Sequence, residues 1–294
     1  MDIRSCVATT ADGQQLRVDY ADLPDGFPVL VHPGSPGSRR MIPSAVQLAA
    51  SQYGLQLISY DRPGYGGSPA RPGRSVADAA ADARAVAAEL GFSRLAVWGH
   101  SGGGPYALAC AALLPDLVVA ACVFASMAPV DAEGMDFLAT WSPQDRQEFE
   151  LFFAQPEQAR AQRWAQAQER LPALSTAEGW LDMFGETADT ASPKTLEVAE
   201  YLALVQQDTL CCGDQGWWDD NVAYLTPWGF DPASIKVPVQ LWHGQQDQAV
   251  PPAHGRWLAS RIPGVQTHFP GDDDHGSIHD NHLPEAYTWL KRQL

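Results

Sequence analysis

No stretch of this 294-residue sequence approaches the roughly 18 to 20 consecutive apolar residues that a membrane-spanning helix needs. The first residues include Asp2 and Arg4 and lack an apolar leader run, so a cytoplasmic location is expected. Cysteine is scarce: there are five, an odd count without zinc-like spacing. Cys211 and Cys212 are adjacent, a pair that seldom forms a relaxed disulfide. All five are read as free thiols in a reducing compartment. Basic residues are also few, 19 Lys and Arg against 35 Asp and Glu, for a net charge of −16. Without a basic patch, a nucleic-acid partner is excluded. No internal repeat or low-complexity tract is present.

What remains is a chain that is 45% hydrophobic, enough for a large buried core. Its acidity is uneven. Residues 127–231 hold 19 acids and 5 bases, a balance of −14, whereas the rest holds 16 acids and 14 bases, a balance of −2. The hydropathy pattern divides at the same place. Before Ser126, short apolar runs alternate with helical stretches. Strands are expected at 3–9, 14–20, 27–31, 55–60, 95–98 and 118–124, and helices at 42–52, 75–90 and 105–114. From 127 to 231 only helices are expected, near 143–153, 156–170, 175–184, 193–210 and 216–225. Ser142 and Ser192, each followed by proline, read as N-caps, and Ser175 with Glu178 fits a capping box. This region carries six of the ten tryptophans. Strands return at 237–242 and 265–269, with helices at 251–262 and 283–294. The predicted fold class is α/β, a mostly parallel central sheet flanked by helices with an inserted all-helical cap. Residues 1–126 and 232–294 form the sheet domain and 127–231 the cap.

The chemistry centres on Gly99-His100-Ser101-Gly102-Gly103, which lies between an apolar strand and an alanine-rich helix. A serine with glycines two residues to either side, in that context, has the form of a nucleophile elbow. The hydroxyl needs a base, and the base needs a carboxylate to orient it. Asp247 and His275 follow the 237–242 and 265–269 strands and would reach the same sheet edge. Asp131, after the 118–124 strand, is the main competitor for the acid. His32 and His243 close strands and read as packing or loop-shaping residues, His100 is expected to point away from the serine, and His254 and His268 fall in a helix and a strand. His275, His279 and His282 could be drawn as a metal cluster, but no closing ligands are marked, and no metal is assigned. The backbone N–H of Gly102 is the first expected oxyanion donor. In His32-Pro33-Gly34-Ser35-Pro36-Gly37 the prolines lack an N–H, which leaves Gly34, Ser35 and Gly37, with Ser35 preferred.

With these pieces, and with Asp61-Arg62-Pro63-Gly64-Tyr65-Gly66-Gly67-Ser68, the chain resembles the α/β-hydrolase superfamily over nearly all of its length outside the cap. The resemblance implies a Ser-His-Asp serine hydrolase, a carboxylic ester hydrolase acting on a small-molecule ester, thioester or lactone without a cofactor. It departs at Pro33, where many relatives have glycine. Ser101 sets the chain apart from the dehalogenase and epoxide-hydrolase branches, whose nucleophile is aspartate. The tryptophan-bearing cap suggests an apolar or aromatic substrate. A proline iminopeptidase-like aminopeptidase, a cofactor-free haloperoxidase or perhydrolase, and a non-catalytic ligand-binding protein remain alternatives. No feature bears on oligomeric state.

Overall fold

The computed structural model describes residues 2–42, 44–183 and 187–294, apart from the side chains of Ser44, Ala45 and Lys194. Pro43, within the predicted 42–52 helix, and Phe184, at the end of the predicted 175–184 helix, lie outside the described residues.

Eight strands form one sheet: β1 (Ile3–Thr9), β2 (Gln15–Ala21), β3 (Phe27–His32), β4 (Leu55–Tyr60), β5 (Leu95–His100), β6 (Val118–Phe124), β7 (Val239–Trp242) and β8 (Gln266–His268). Their spatial order is β1-β2-β4-β3-β5-β6-β7-β8. β1 and β2 form an antiparallel hairpin, β2 pairs antiparallel with β4, and every later pairing is parallel. Every residue of β4 and β7 is buried, as expected for strands covered on both faces. On one face α2 (Ala79–Glu89), α3 (Gly103–Leu113) and α9 (Pro252–Arg261) enclose a core containing Val86, Leu108 and Leu258. On the other, α1 (Ser44–Gln52) and α10 (Ser277–Lys291) cover Val31, Leu57 and Trp98. Between β6 and β7 the chain runs through α4 (Pro143–Ala154), α5 (Pro156–Leu174), α6 (Ala177–Met183), α7 (Pro193–Thr209) and α8 (Gln215–Tyr224). Among the described residues no helix is long and apolar enough to cross a membrane.

The boundaries differ from expectation at two informative places. α6 is capped by Thr176, whose hydroxyl accepts the Gly179 N–H at 3.1 Å, whereas Ser175 closes α5. α10 begins six residues before the predicted 283 because the Asp274 carboxylate accepts the N–H groups of Gly276 and Ser277, at 3.0 and 2.8 Å, and starts the turn. Pro284 sits inside that helix, held by an apolar face of Ile278, Leu283, Tyr287 and Leu290. Tertiary packing here overrides a residue that normally breaks helices.

Asp82 on α2 is buried 3.4 Å from Arg71. Burial pushes its carboxyl up to about 6, against the pull of Arg71 and Arg74. Because the folded value lies above the unfolded one, folding favours the protonated acid. That contribution is complete below about pH 4 and is lost as pH rises through about 6. Asp82→Asn, which cannot ionise, is therefore expected to gain stability on the wild type by on the order of 2 kcal/mol between about pH 4 and pH 8. Denaturant unfolding at both pH values checks this, and a constant difference between the two proteins would contradict it.

Candidate active site

The carboxyl ends of the parallel strands meet at one rim of the sheet. β5 runs straight into α3, and the turn between them is so tight that Ser101 adopts φ 55°. That left-handed conformation is costly for a residue with a side chain and is held by the surrounding structure. The Ser101 N–H donates to the Phe124 carbonyl at 2.9 Å, and its own carbonyl accepts the Gly104 N–H at 3.0 Å. The flanking glycines are obligatory. A Cβ on Gly103 would lie 1.8 Å from the His32 carbonyl oxygen, and one on Gly99 would lie 2.4 Å from the Gly103 carbonyl oxygen.

His275, in the loop between β8 and α10, brings Nε2 to 2.9 Å from Ser101 Oγ. Its Nδ1 is 2.8 Å from Asp247 Oδ2. Asp247 follows β7, and its Oδ1 accepts the backbone N–H groups of Ala249 and Val250 at 2.9 and 2.8 Å. The Asp247 side chain is fully buried, while that of His275 is 25% exposed and Ser101 is half-buried. A carboxylate, an imidazole and a hydroxyl thus form one hydrogen-bonded line, buried at the acid and open at the serine. Such a line can draw a proton from a hydroxyl as it attacks an electrophile. Asp131, the competing acid, stands exposed on the loop after β6, and Asp247 holds the position beside His275.

The other histidines have separate partners. His32 is buried, edge-on to Tyr60, with Nε2 3.6 Å from Cys110 Sγ. His100 turns from Ser101 and donates through Nε2 to the His275 carbonyl at 2.9 Å, which steadies the loop that carries the imidazole. Burial, and then the neighbouring His279 and His275, push its ring down to about 3, so it stays neutral. His243 donates to the Val250 carbonyl at 2.8 Å and lies 3.5 Å from Asp247 Oδ2. His254 lies on α9, with Nδ1 accepting the Ala128 N–H, and His268 ends β8, stacked on Trp242. His279 stacks on Trp98 and His282 pairs with Asp273 at 2.8 Å, so the three histidines drawn as a metal cluster face different neighbours.

The loop after β3 lies over the elbow. A Cβ on Gly34 would be 3.5 Å from Ser101 Cβ, and one on Gly102 would be 3.0 Å from Ser35 Cβ. Of the expected oxyanion residues, Gly34 therefore lies against Ser101, and Ser35 against Gly102, the residue after Ser101. The Ser35 hydroxyl is 3.2 Å from the Tyr65 hydroxyl. Tyr224 on α8 donates to the Gly102 carbonyl at 2.8 Å.

Sequence reasoning missed what holds this loop. Arg62 is buried, donating through Nη1 to the Pro33 carbonyl at 2.7 Å and through Nη2 to the Gly34 carbonyl at 2.9 Å. Asp220 on α8 grips the same guanidinium at Nε and Nη2, 3.2 and 2.7 Å away. The Asp220 carboxylate also accepts from Arg74, Tyr65 and Tyr106 at 2.6, 2.9 and 2.6 Å. Burial alone would raise this acid, but the two guanidiniums hold it well below the usual carboxylate range. The only available hint was the arginine inside the Asp61–Ser68 loop, since Asp220 looked like one more acid among many.

A cavity of about 520 Å³ runs between α4, α5, α7 and α8, with Pro36 of the same loop in its wall. Leu171, Leu174 and Trp217 line it together with Arg163 and Gln166.

Comparison with known proteins agrees with this architecture. The family model for the alpha/beta hydrolase fold matches residues 28–282. Among solved structures, an esterase from a Rhodococcus species superposes with a TM-score of 0.68 at 17% identity, covering 100% of both chains. An enol-lactonase from Burkholderia xenovorans gives 0.64 at 20% identity, covering 98% of this chain and 99% of its own. A bromoperoxidase from Bacillus anthracis gives 0.66 at 19% identity, covering 99% and 100%. With its mostly parallel eight-stranded sheet, its strained serine turn and a family match over most of its length, the chain belongs to the α/β-hydrolase fold family.

Proposed function

We propose that the protein is a serine hydrolase that cleaves a small carboxylic ester, thioester or lactone through an acyl-enzyme. The observation that carries this reading is the unbroken line from Ser101 through His275 to Asp247, with links of 2.9 and 2.8 Å. Asp247 accepts the Nδ1–H of His275, which leaves Nε2 as the lone-pair nitrogen facing the serine. Ser101 Oγ attacks the substrate carbonyl carbon as its proton passes to Nε2. The negative oxygen that results is steadied by N–H groups of Gly102 and of the Gly34–Ser35 segment. The imidazolium then protonates the departing alkoxide or thiolate, and the acyl group stays on Ser101. Water, deprotonated by the same imidazole, releases the acid and restores the hydroxyl. The chain's own residues supply every group these steps use, so no metal or organic cofactor is assigned.

Residues 127–231 act in this reading as the cap over the site. Leu171, Leu174 and Trp217 offer a surface for an apolar or aromatic acyl or alcohol part, and Arg163 and Gln166 offer hydrogen bonds to polar substituents. Part of this region's acidity is neutralised inside the protein, while Glu148 and Glu169 line the cavity itself, Glu148 beside Arg163. Asp220 is matched by Arg62 and Arg74, and Asp208 lies beside Arg39 and Arg40. That weakens the motive for an aminopeptidase.

Fluorophosphonate labelling followed by peptide mapping tests the proposal. The adduct is expected on Ser101 and absent from Ser101→Ala, and an unlabelled wild type or an adduct elsewhere would overturn it. A panel of p-nitrophenyl esters, lactones and aminoacyl anilides, with a peracid assay in hydrogen peroxide and acetate, then separates esterase, lactonase, aminopeptidase and perhydrolase activity.

A further inference from the structure

We propose that Arg62, anchored by Asp220 of α8, is the positioning residue of the oxyanion loop, so that seating of α8 on the sheet domain is a condition for rapid acyl transfer. The inference rests on the serine-hydrolase reading above. It starts from peptide geometry. In a planar trans peptide the C=O and the following N–H point in opposite directions. Arg62 holds the Pro33 and Gly34 carbonyls toward itself at 2.7 and 2.9 Å. The N–H groups of Gly34 and Ser35 belong to those same two peptides and are therefore turned away from Arg62. Two carbonyl contacts thus fix the aim of both N–H groups expected from this loop.

One guanidinium does this while making two further bonds to Asp220, a use of its planar fork that a point-charge ammonium cannot reproduce. Asp220 is itself immobilised by Arg74, Tyr65 and Tyr106. Tyr65 closes the circuit, since its hydroxyl reaches both Asp220 Oδ2 and Ser35 Oγ, at 2.9 and 3.2 Å. The polar cluster therefore joins a helix between β6 and β7 to the loop after β3, through an arginine in the loop after β4 that lies 158 residues from Asp220. Buried ion pairs are weak devices for stability, because hydrophobic replacements often serve as well. Holding two carbonyls and a carboxylate on one guanidinium is a task that hydrophobic side chains cannot perform.

The test uses the full-length protein with Arg62→Lys, which keeps the charge opposite Asp220 and loses the fork. Arg84→Lys serves as a control, because Arg84 makes a similar forked pair with Asp116, both bonds 3.0 Å, away from α8 and the oxyanion loop. Arg62→Lys is expected to lower kcat on a p-nitrophenyl ester about 100-fold, the size of losing one oxyanion donor. KM should stay within about threefold, and the fluorophosphonate labelling rate at Ser101 should fall in step with kcat. Arg84→Lys should change neither. If Arg62→Lys does not fold, Tyr65→Phe removes only the hydroxyl joining Asp220 to Ser35 and is expected to lower kcat about tenfold, again at constant KM. A folded variant that keeps wild-type kcat, or that loses efficiency through KM alone, would overturn the inference. A wild type that does not label at Ser101 would instead remove the hydrolase reading beneath it.

Discussion

Replacing His275 with alanine is expected to lower kcat on an ester by about a millionfold, with little change in KM. The size follows from the geometry. The imidazole Nε2 is the atom facing Ser101 Oγ at 2.9 Å, and a serine hydroxyl is a feeble nucleophile without a base to take its proton. The truncation is clean, because the link from His100 runs to the backbone carbonyl of residue 275 and survives the loss of the ring. The loop should therefore keep its place while its chemistry disappears. Single-turnover kinetics with a p-nitrophenyl ester measure the effect. A loss below about 100-fold would show that another group serves as the base.

The second large effect is expected at Asp247. Asp247→Asn should reduce kcat by about 10⁴ while the fold stays intact. Oδ1 accepts the N–H groups of Ala249 and Val250 and must therefore remain an oxygen in the amide. The new NH₂ group is then forced to point at His275 Nδ1. An amide that donates there requires Nδ1 to be the lone-pair nitrogen, which places the proton on Nε2, where it can no longer receive one from Ser101. The rate loss should thus come with a reversed tautomer, readable from the ¹⁵N shifts of the His275 ring. An unchanged tautomer, or activity within tenfold of wild type, would contradict the assignment of the acid.

These residues were legible in the sequence for a physical reason. Each follows the end of a parallel strand whose apolar run is easy to find, and in such sheets the ends of those strands share one rim. Ser101 is marked further by glycines that the turn cannot replace. Arg62 and Asp220 carry no such local signature. The first sits in a loop recognised by its glycines and prolines, the second is one of two adjacent acids on a helix of the acidic 127–231 region, and only folding brings them within 2.7 Å. The start of α10 lies ahead of the predicted 283–294 helix because it rests on the Asp274 carboxylate, which accepts the N–H groups of Gly276 and Ser277, and on the packing of Ile278. Periodicity records what one element does alone. It is silent on bonds between elements.

The spacing of the site along the chain also bears on how the molecule comes into being. Ser101 and His275 are separated by 174 positions, and the imidazole follows β8, an edge strand of the sheet. On the proposed reading, a nascent polypeptide carries its future nucleophile in an inert form until those 174 further residues have been added. Hydrolytic competence arrives only when the segment carrying His275 docks at the β8 edge of the sheet, so a chain released before that segment is made cannot attack the esters around it.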